Sequence, residues 1–197
     1  MKPLSRTAAA VALGVDKRIV GNAITSGLLH DLTPGSVSAA ASIPLLHSLQ
    51  TDGGVYVPTL RLGEQMPSGD PDRPFKGYHV SMTDDEVLAA SDRWWPVSHI
   101  ALDAGCYLVV RASYIVAWLD VAGIEATTIV EGRTKVHYDA ELVAIRRTDG
   151  TVDVLTPRSP NATDAARVVG LRRLGGGGGS FTLAEPIGTE MRNGHLS

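Results

Sequence analysis

The sequence predicts an α+β fold, with a helical domain at the N-terminus followed by a mixed domain holding a small antiparallel β-sheet or partial barrel. Three observations predict it. Residues 4–29 carry apolar side chains at helical spacing, punctuated by cap and turn residues. From Cys106 onward the pattern changes to short alternating or continuous apolar runs of strand length. Between them, Gly63–Gly77 contains Met66-Pro-Ser-Gly-Asp-Pro-Asp-Arg-Pro74 and reads as a linker or long loop. The expected division is a helical head over 1–62, a linker over 63–77, an α+β domain over 78–187 and a flexible tail over 188–197.

The head is predicted as two short helices joined by a tight turn. Leu4, Ala9, Leu13, Val15, Val20 and Ile24 fall inward, while Lys17, Arg18, Asn22 and Thr25 face out. Ser5 and Asp16 cap the two helices, because a side-chain oxygen at that position accepts from a free backbone N–H. Gly14 sits at the turn, where a positive φ carries no Cβ penalty, and Gly27 stops the second helix. The second helix thus exposes two cations and an amide, which suits a major groove: Arg and Lys address guanine, Asn addresses adenine.

This segment resembles the winged helix-turn-helix of excisionases and MerR-type regulators. Leu4, Ser5, Ala9, Ala10, Leu13, Gly14, Val15, Asp16, Val20, Ile24, Gly27 and Leu29 carry the resemblance, which covers 26 of 197 residues. It implies a DNA-binding head using Arg6, Asp16, Lys17, Arg18, Asn22 and Thr25, and a role in transcriptional repression or control of prophage state. Where the family places a basic wing, His30–Gly35 carries Asp31 and no Lys or Arg. Gly21 lies inside the second helix, where it costs about 1 kcal/mol relative to Ala.

Thr33-Pro34 reads as a helix start, with Ser36–Leu49 helical and broken or kinked at Pro44. Gly53–Leu62 alternates like a strand. Thr83-Asp-Asp-Glu86 is a capping box opening a helix through Arg93, and its acidic triplet is explained by the helix dipole. Tyr107–Ala112, Tyr114–Asp120, Ile124–Val130, Glu141–Arg147 and Thr151–Leu155 are strand candidates, with Asp149-Gly150 as a hairpin turn and Phe181–Ala184 as a further strand. Thr163–Arg173 reads as a capped helix, and Gly175–Gly179 as a connector lacking the lysine of a phosphate loop.

The net charge of −3 is unevenly spread. Residues 1–30 hold Lys2, Arg6, Lys17 and Arg18 against Asp16, so the rest of the chain carries −6. A cationic head on an acidic body fits a nucleic-acid partner. Cys106 is the single cysteine, which excludes an internal disulfide and a multi-Cys zinc site, and it reads as a small core residue. No apolar run reaches spanning length, and the expected location is the cytoplasm of a bacterial or phage-infected cell.

The six histidines show no metal-ligand spacing, and no nucleophile elbow or dinucleotide fingerprint occurs. The expectation is a non-enzymatic protein without cofactor or metal. The nearest approach to a catalytic cluster is His137 with Asp139 and Glu141, which supports an alternative reading as a DNA-processing or modification enzyme. Trp94-Trp95 offers a base pocket or core residues. A third reading is a phage assembly or packaging adaptor. Arg146, Arg147, Arg158, Arg167, Arg172 and Arg173 form a second basic group, read either as a solvated face or as a second DNA-contacting surface gripping phosphates. With that second surface, one chain on an asymmetric double-stranded site is favoured over a dimer on a palindrome.

Overall fold

The computed structural model describes residues 2–51, 53–130, 132–174 and 181–182. The local signals at the N-terminus are realised. Helix α1 spans Arg6–Leu13, with the Ser5 side chain accepting from the Ala8 amide, and Gly14 adopts φ 64° at its end. Helix α2 spans Lys17–Thr25 behind Asp16, whose carboxylate accepts from the Arg18 amide at 2.8 Å. Helix α3 covers Pro34–Ser42, capped by Thr33, and stops before Pro44. Its start is fixed by Asp31, which accepts from both the amide and the hydroxyl of Thr33.

The remaining elements are dominated by strands: β1 (Thr59–Arg61), β2 (Met66–Asp70), β3 (Arg73–Lys76), β4 (Arg93–Pro96), β5 (Cys106–Arg111), β6 (Tyr114–Val130), β7 (Arg133–Arg146), β8 (Val152–Val154) and β9 (Phe181–Thr182). Helices α4 (Asp84–Asp92), α5 (His99–Ala104) and α6 (Ala162–Val168) are short. Seven strands form one curled sheet in the order β4-β7-β6-β5-β1-β9, with β8 also paired to β7. Among the described residues, β1 and β5 are the only paired strands of this sheet that run parallel; the connection between them holds the β2–β3 hairpin, α4, β4 and α5.

This architecture corrects the expected fold class. Among the described residues strand outweighs helix, 37% against 28%, and the N-terminal helices do not form a helical domain of their own. The physical reason lies in what those helices bury. Their inward residues are Ala9, Ala10, Leu13, Val20 and Ala23, and three alanines among five offer too little apolar area for a self-sufficient core. They pack instead in one cluster with Leu60, Tyr107, Val109 and Val116 of the sheet. The sheet is also larger than predicted. The other face of β5, through Cys106, Leu108 and Val110, joins a second cluster with Ala165 and Val168 of α6. Buried on both faces, β5 reads as a continuous apolar run, as doubly covered strands do.

Three local readings also change. The stretch expected as a linker is occupied by the β2–β3 hairpin, which Trp94 Nε1 reaches to bond Asp70 Oδ2 at 2.5 Å. Tyr114–Asp120 and Ile124–Val130 are one strand, because β7 pairs across the intervening Val121-Ala-Gly123 and absorbs the irregularity in register shifts. Of Gly53–Leu62, only Thr59–Arg61 is a strand. The expected Gly175–Gly179 connector, Leu183–Ala184 of the last strand and the tail over 188–197 lie outside the described residues.

Candidate nucleic-acid interface and the arginine cavity

The exposed side of α1 and α2 brings five of the six expected contact residues together. Arg6, Lys17, Arg18, Asn22 and Thr25, with Gly21, line one open groove of about 620 Å³. The arrangement follows from the caps. With Asp16 fixing the start of α2, Lys17, Arg18, Gly21, Asn22 and Thr25 repeat at intervals of three and four along one side, while Val20 and Ala23 face the core. Gly21 lies beside the Arg6 guanidinium, which a Cβ there would meet at 3.9 Å, an ordinary contact. The sixth residue, Asp16, lines a neighbouring cavity and pairs with Arg18, Nε to Oδ1 at 3.3 Å. The Arg18 amide and then its side chain hold the Asp16 carboxyl below its ordinary range.

The second basic group does not form a surface. Arg172 and Arg173 are buried, at 4% and 5% exposure, because α6 ends at Val168 and the chain after Gly170 runs into the body of the protein. Arg172 there bonds the carbonyls of Leu13 and Ala40. Arg147 is bound by Asp84, at 2.5 and 3.2 Å, and by Asp153 at 2.6 Å, which raises its pKa further above the usual arginine value. Arg146 lies over the Tyr114 ring, 5.3 Å from its centre, and Arg167 pairs with Asp164. Arg158 is exposed. With two of its six members buried and two held in ion pairs, the expected second DNA face is dismantled.

Two members of the alternative catalytic cluster are engaged by other partners. Asp139 and Glu141 are exposed, and Glu141 accepts from the Thr156 hydroxyl. His137 turns elsewhere: its Nε2 lies 3.2 Å from Asp92 and its Nδ1 lies 3.1 Å from Glu125. Trp94 stands 6.1 Å from the His137 ring, and Trp95 donates to the Ala90 carbonyl. Among the described residues, no group of three or more His, Cys, Asp or Glu side chains is arranged to hold a metal. Nor is any described helix long and apolar enough to cross a membrane.

A site absent from the sequence reading lies beside α2. A cavity of about 420 Å³ opens between the start of that helix, the ends of β1 and β5, and the segment after α6. Arg61, Arg111 and Arg173 line it. Arg111 is 5% exposed; its Nε donates to the Ser26 hydroxyl at 2.6 Å and one terminal nitrogen reaches the Leu62 carbonyl. The other terminal nitrogen of Arg111, and both of Arg173, have no hydrogen-bond partner among the described residues. Burial, and then the charge of Arg61, pull the Arg173 pKa down to about 10. Burial also lowers Arg61 and Arg111, with Glu64 opposing the effect at Arg111.

The turn that closes this cavity is strained. Ala112 and Ser113 connect β5 to β6 with φ of 49° and 71°, a left-handed pair ordinarily filled by Asn and Gly. Each non-glycine residue held there costs about 1–3 kcal/mol. The Arg173 amide, donating to the Ser113 carbonyl at 2.7 Å, helps to hold it. Ser26 links the cavity to α2, since its hydroxyl donates to the Asn22 carbonyl at 2.7 Å while accepting from Arg111.

No protein-family model matches this chain, and neither does any curated protein or any solved structure.

Proposed function

We propose that this protein binds double-stranded DNA through the open face of α1 and α2, as a regulator whose occupancy of a site represses transcription or controls prophage state. The observation that carries the reading is the single groove shared by Arg6, Lys17, Arg18, Asn22 and Thr25. Three cations in that groove supply phosphate attraction, and Arg18 and Asn22 supply the donors that discriminate guanine and adenine. A helix is about 10–12 Å across with its side chains, which fits a major groove about 12 Å wide. The resemblance of residues 4–29 to excisionase and MerR-type sequences agrees with this, with the helix pair braced by a β-sheet. The cationic segment on an otherwise acidic chain favours approach of a polyanion by that face.

The experiment is selection of bound duplexes from random DNA with the full chain, followed by fluorescence anisotropy on the selected site. An Arg18→Ala, Asn22→Ala double variant is expected to lose discrimination at one to three base pairs while keeping its circular-dichroism spectrum. Lys17→Ala should weaken all duplexes alike and reduce the salt slope by about 0.9. Equal binding of the selected site by wild type and the double variant, or no enrichment of any sequence, rejects the reading. The footprint length then separates one chain per site from two.

A further inference from the structure

We propose that the cavity lined by Arg61, Arg111 and Arg173 is a binding site for a small organic phosphate monoester. Two of its guanidinium groups are more than nine-tenths buried, and three of their terminal nitrogens have no partner among the described residues. A buried cation left unpaired is unfavourable, and an oxyanion supplying acceptors to the guanidinium forks relieves that cost. No described carboxylate lies within ion-pair distance of any of the three. Asp16 lines the cavity but is engaged by Arg18, and Glu64 acts on Arg111 only through its charge.

The charge count selects the ligand. Three cations around one cavity favour a doubly charged oxyanion over a monoanion, and guanidinium groups match phosphate geometry with paired donors. The volume of about 420 Å³ falls in the range of small-molecule sites and leaves room for more than the phosphate itself. Val15, Ile19, Leu62 and Val110 supply apolar wall for the organic portion. The site is also placed to report its occupancy. Arg111 holds the Ser26 hydroxyl, Ser26 holds the Asn22 carbonyl, and Asn22 lines both this cavity and the open groove. The proposal stands on the cavity and does not require the DNA reading.

Phenyl phosphate is the probe, titrated by calorimetry and thermal shift into the full chain in a chloride buffer of fixed ionic strength. Saturable one-site binding is expected, with phenyl sulfate, a monoanion, at least tenfold weaker. Arg61→Gln and Arg173→Gln should each weaken phenyl phosphate at least tenfold, while Arg158→Gln, at an exposed position outside the cavity, should not. If Arg173→Gln fails to fold, Arg61→Gln decides, because Arg61 is only partly buried and makes no ion pair. The absence of saturable binding, or unchanged binding by Arg61→Gln, overturns the proposal. A duplex lacking terminal phosphates provides the remaining arm. If Arg61→Gln weakens binding of that duplex as much as it weakens phenyl phosphate, the cavity takes backbone phosphate and the small-ligand proposal falls. Failure of the DNA reading shows separately, through the Arg18 and Asn22 variant.

Discussion

The guanidinium of Arg172 donates to the main-chain carbonyl of Leu13, across 159 positions of sequence, and also reaches the carbonyl of Ala40 at 3.4 Å. One side chain thereby fastens the ends of α1 and α3 to the segment that follows α6. Helix C-termini leave carbonyls without partners, and a buried cation is a strong donor to them. The same contact balances the burial of Arg172 itself, which would be unfavourable alone.

Arg172→Ala is therefore expected to destabilise the protein by about 2–4 kcal/mol, since it removes charge-assisted hydrogen bonds and takes from the Leu13 carbonyl its donor, while the Ala40 carbonyl keeps the Ile43 amide. Denaturant titration of the full chain checks this. A loss below about 1 kcal/mol would mean that the bond to Leu13 contributes little.

Leu13→Ala should cost about 2–5 kcal/mol, as truncation of a buried leucine does. Because Leu13 shares a core cluster with the sheet, the variant should still unfold in one transition. Separate melting of the helices, seen by following helical and aromatic signals independently, would contradict the shared core.

What was legible in the sequence was what local chemistry decides. Ser5, Asp16, Thr33 and Thr83 cap helices as expected, because a cap needs only a side chain and the amide two or three residues on. The register that exposes Lys17 and Arg18 and leaves Asn22 half-buried beside them was legible for the same reason. The fold class was not. Helical spacing says which side of α1 is buried, but not whether its partner is another helix or the sheet. Nor does a Pro- and Gly-rich run distinguish a linker from the hairpin of β2 and β3, whose pairing is supported from elsewhere in the chain by Trp94. The arginine cavity escaped because its three cations come from the ends of β1 and β5 and the segment after α6. Its one local signal was Arg111, a charge closing an otherwise apolar strand. Arg172 and Arg173 fall at the end of the helix that the sequence predicts over Thr163–Arg173, whereas α6 stops at Val168.

Two glycines with similar backbone angles should respond differently to alanine. Gly14 and Gly27 adopt φ of 64° and 73°, so each substitution carries a left-handed penalty of about 1–2 kcal/mol. A Cβ at Gly14 meets nothing within 4 Å, whereas at Gly27 it would lie 2.4 Å from Val80 Cγ2. Gly27→Ala is expected to cost about 1–3 kcal/mol more, the usual effect of overpacking. Equal denaturation midpoints for the two variants would refute the close approach of α2 to Val80.

Cys106 should resist thiol reagents in the native state. Its side chain is inaccessible and burial pushes its pKa up to about 12, so neither reagent nor thiolate is present at neutral pH. Labelling with a disulfide reagent is expected to follow global unfolding, with its rate rising in step with denaturant. Rapid labelling in native buffer would show that the packing of β5 opens locally.

Asp31 should set part of the acid stability. The nearby Ser36 hydroxyl, then the amide and hydroxyl of Thr33 that donate to it, bring its carboxyl down to about 2 from 3.8. A folded-state value below the unfolded one means that the ionised form is favoured by folding. The contribution is fully present above the unfolded value and is lost as pH falls through the folded value. Asp31→Asn removes the titration while keeping an acceptor at the start of α3. The difference in urea midpoint between wild type and Asp31→Asn should thus stay constant above about pH 5 and shrink as pH falls below about 4, levelling off only below the folded value. The window is narrow, and the comparison must be made at each pH because other carboxylates titrate nearby. Asp16 and Asp149 are also held below their ordinary range by local hydrogen bonds, but both remain in the variant and cancel in the difference to first order. A difference that persists unchanged down to the lowest pH at which the protein folds would show that the Thr33 cap is held by geometry alone, with no part played by the carboxylate charge.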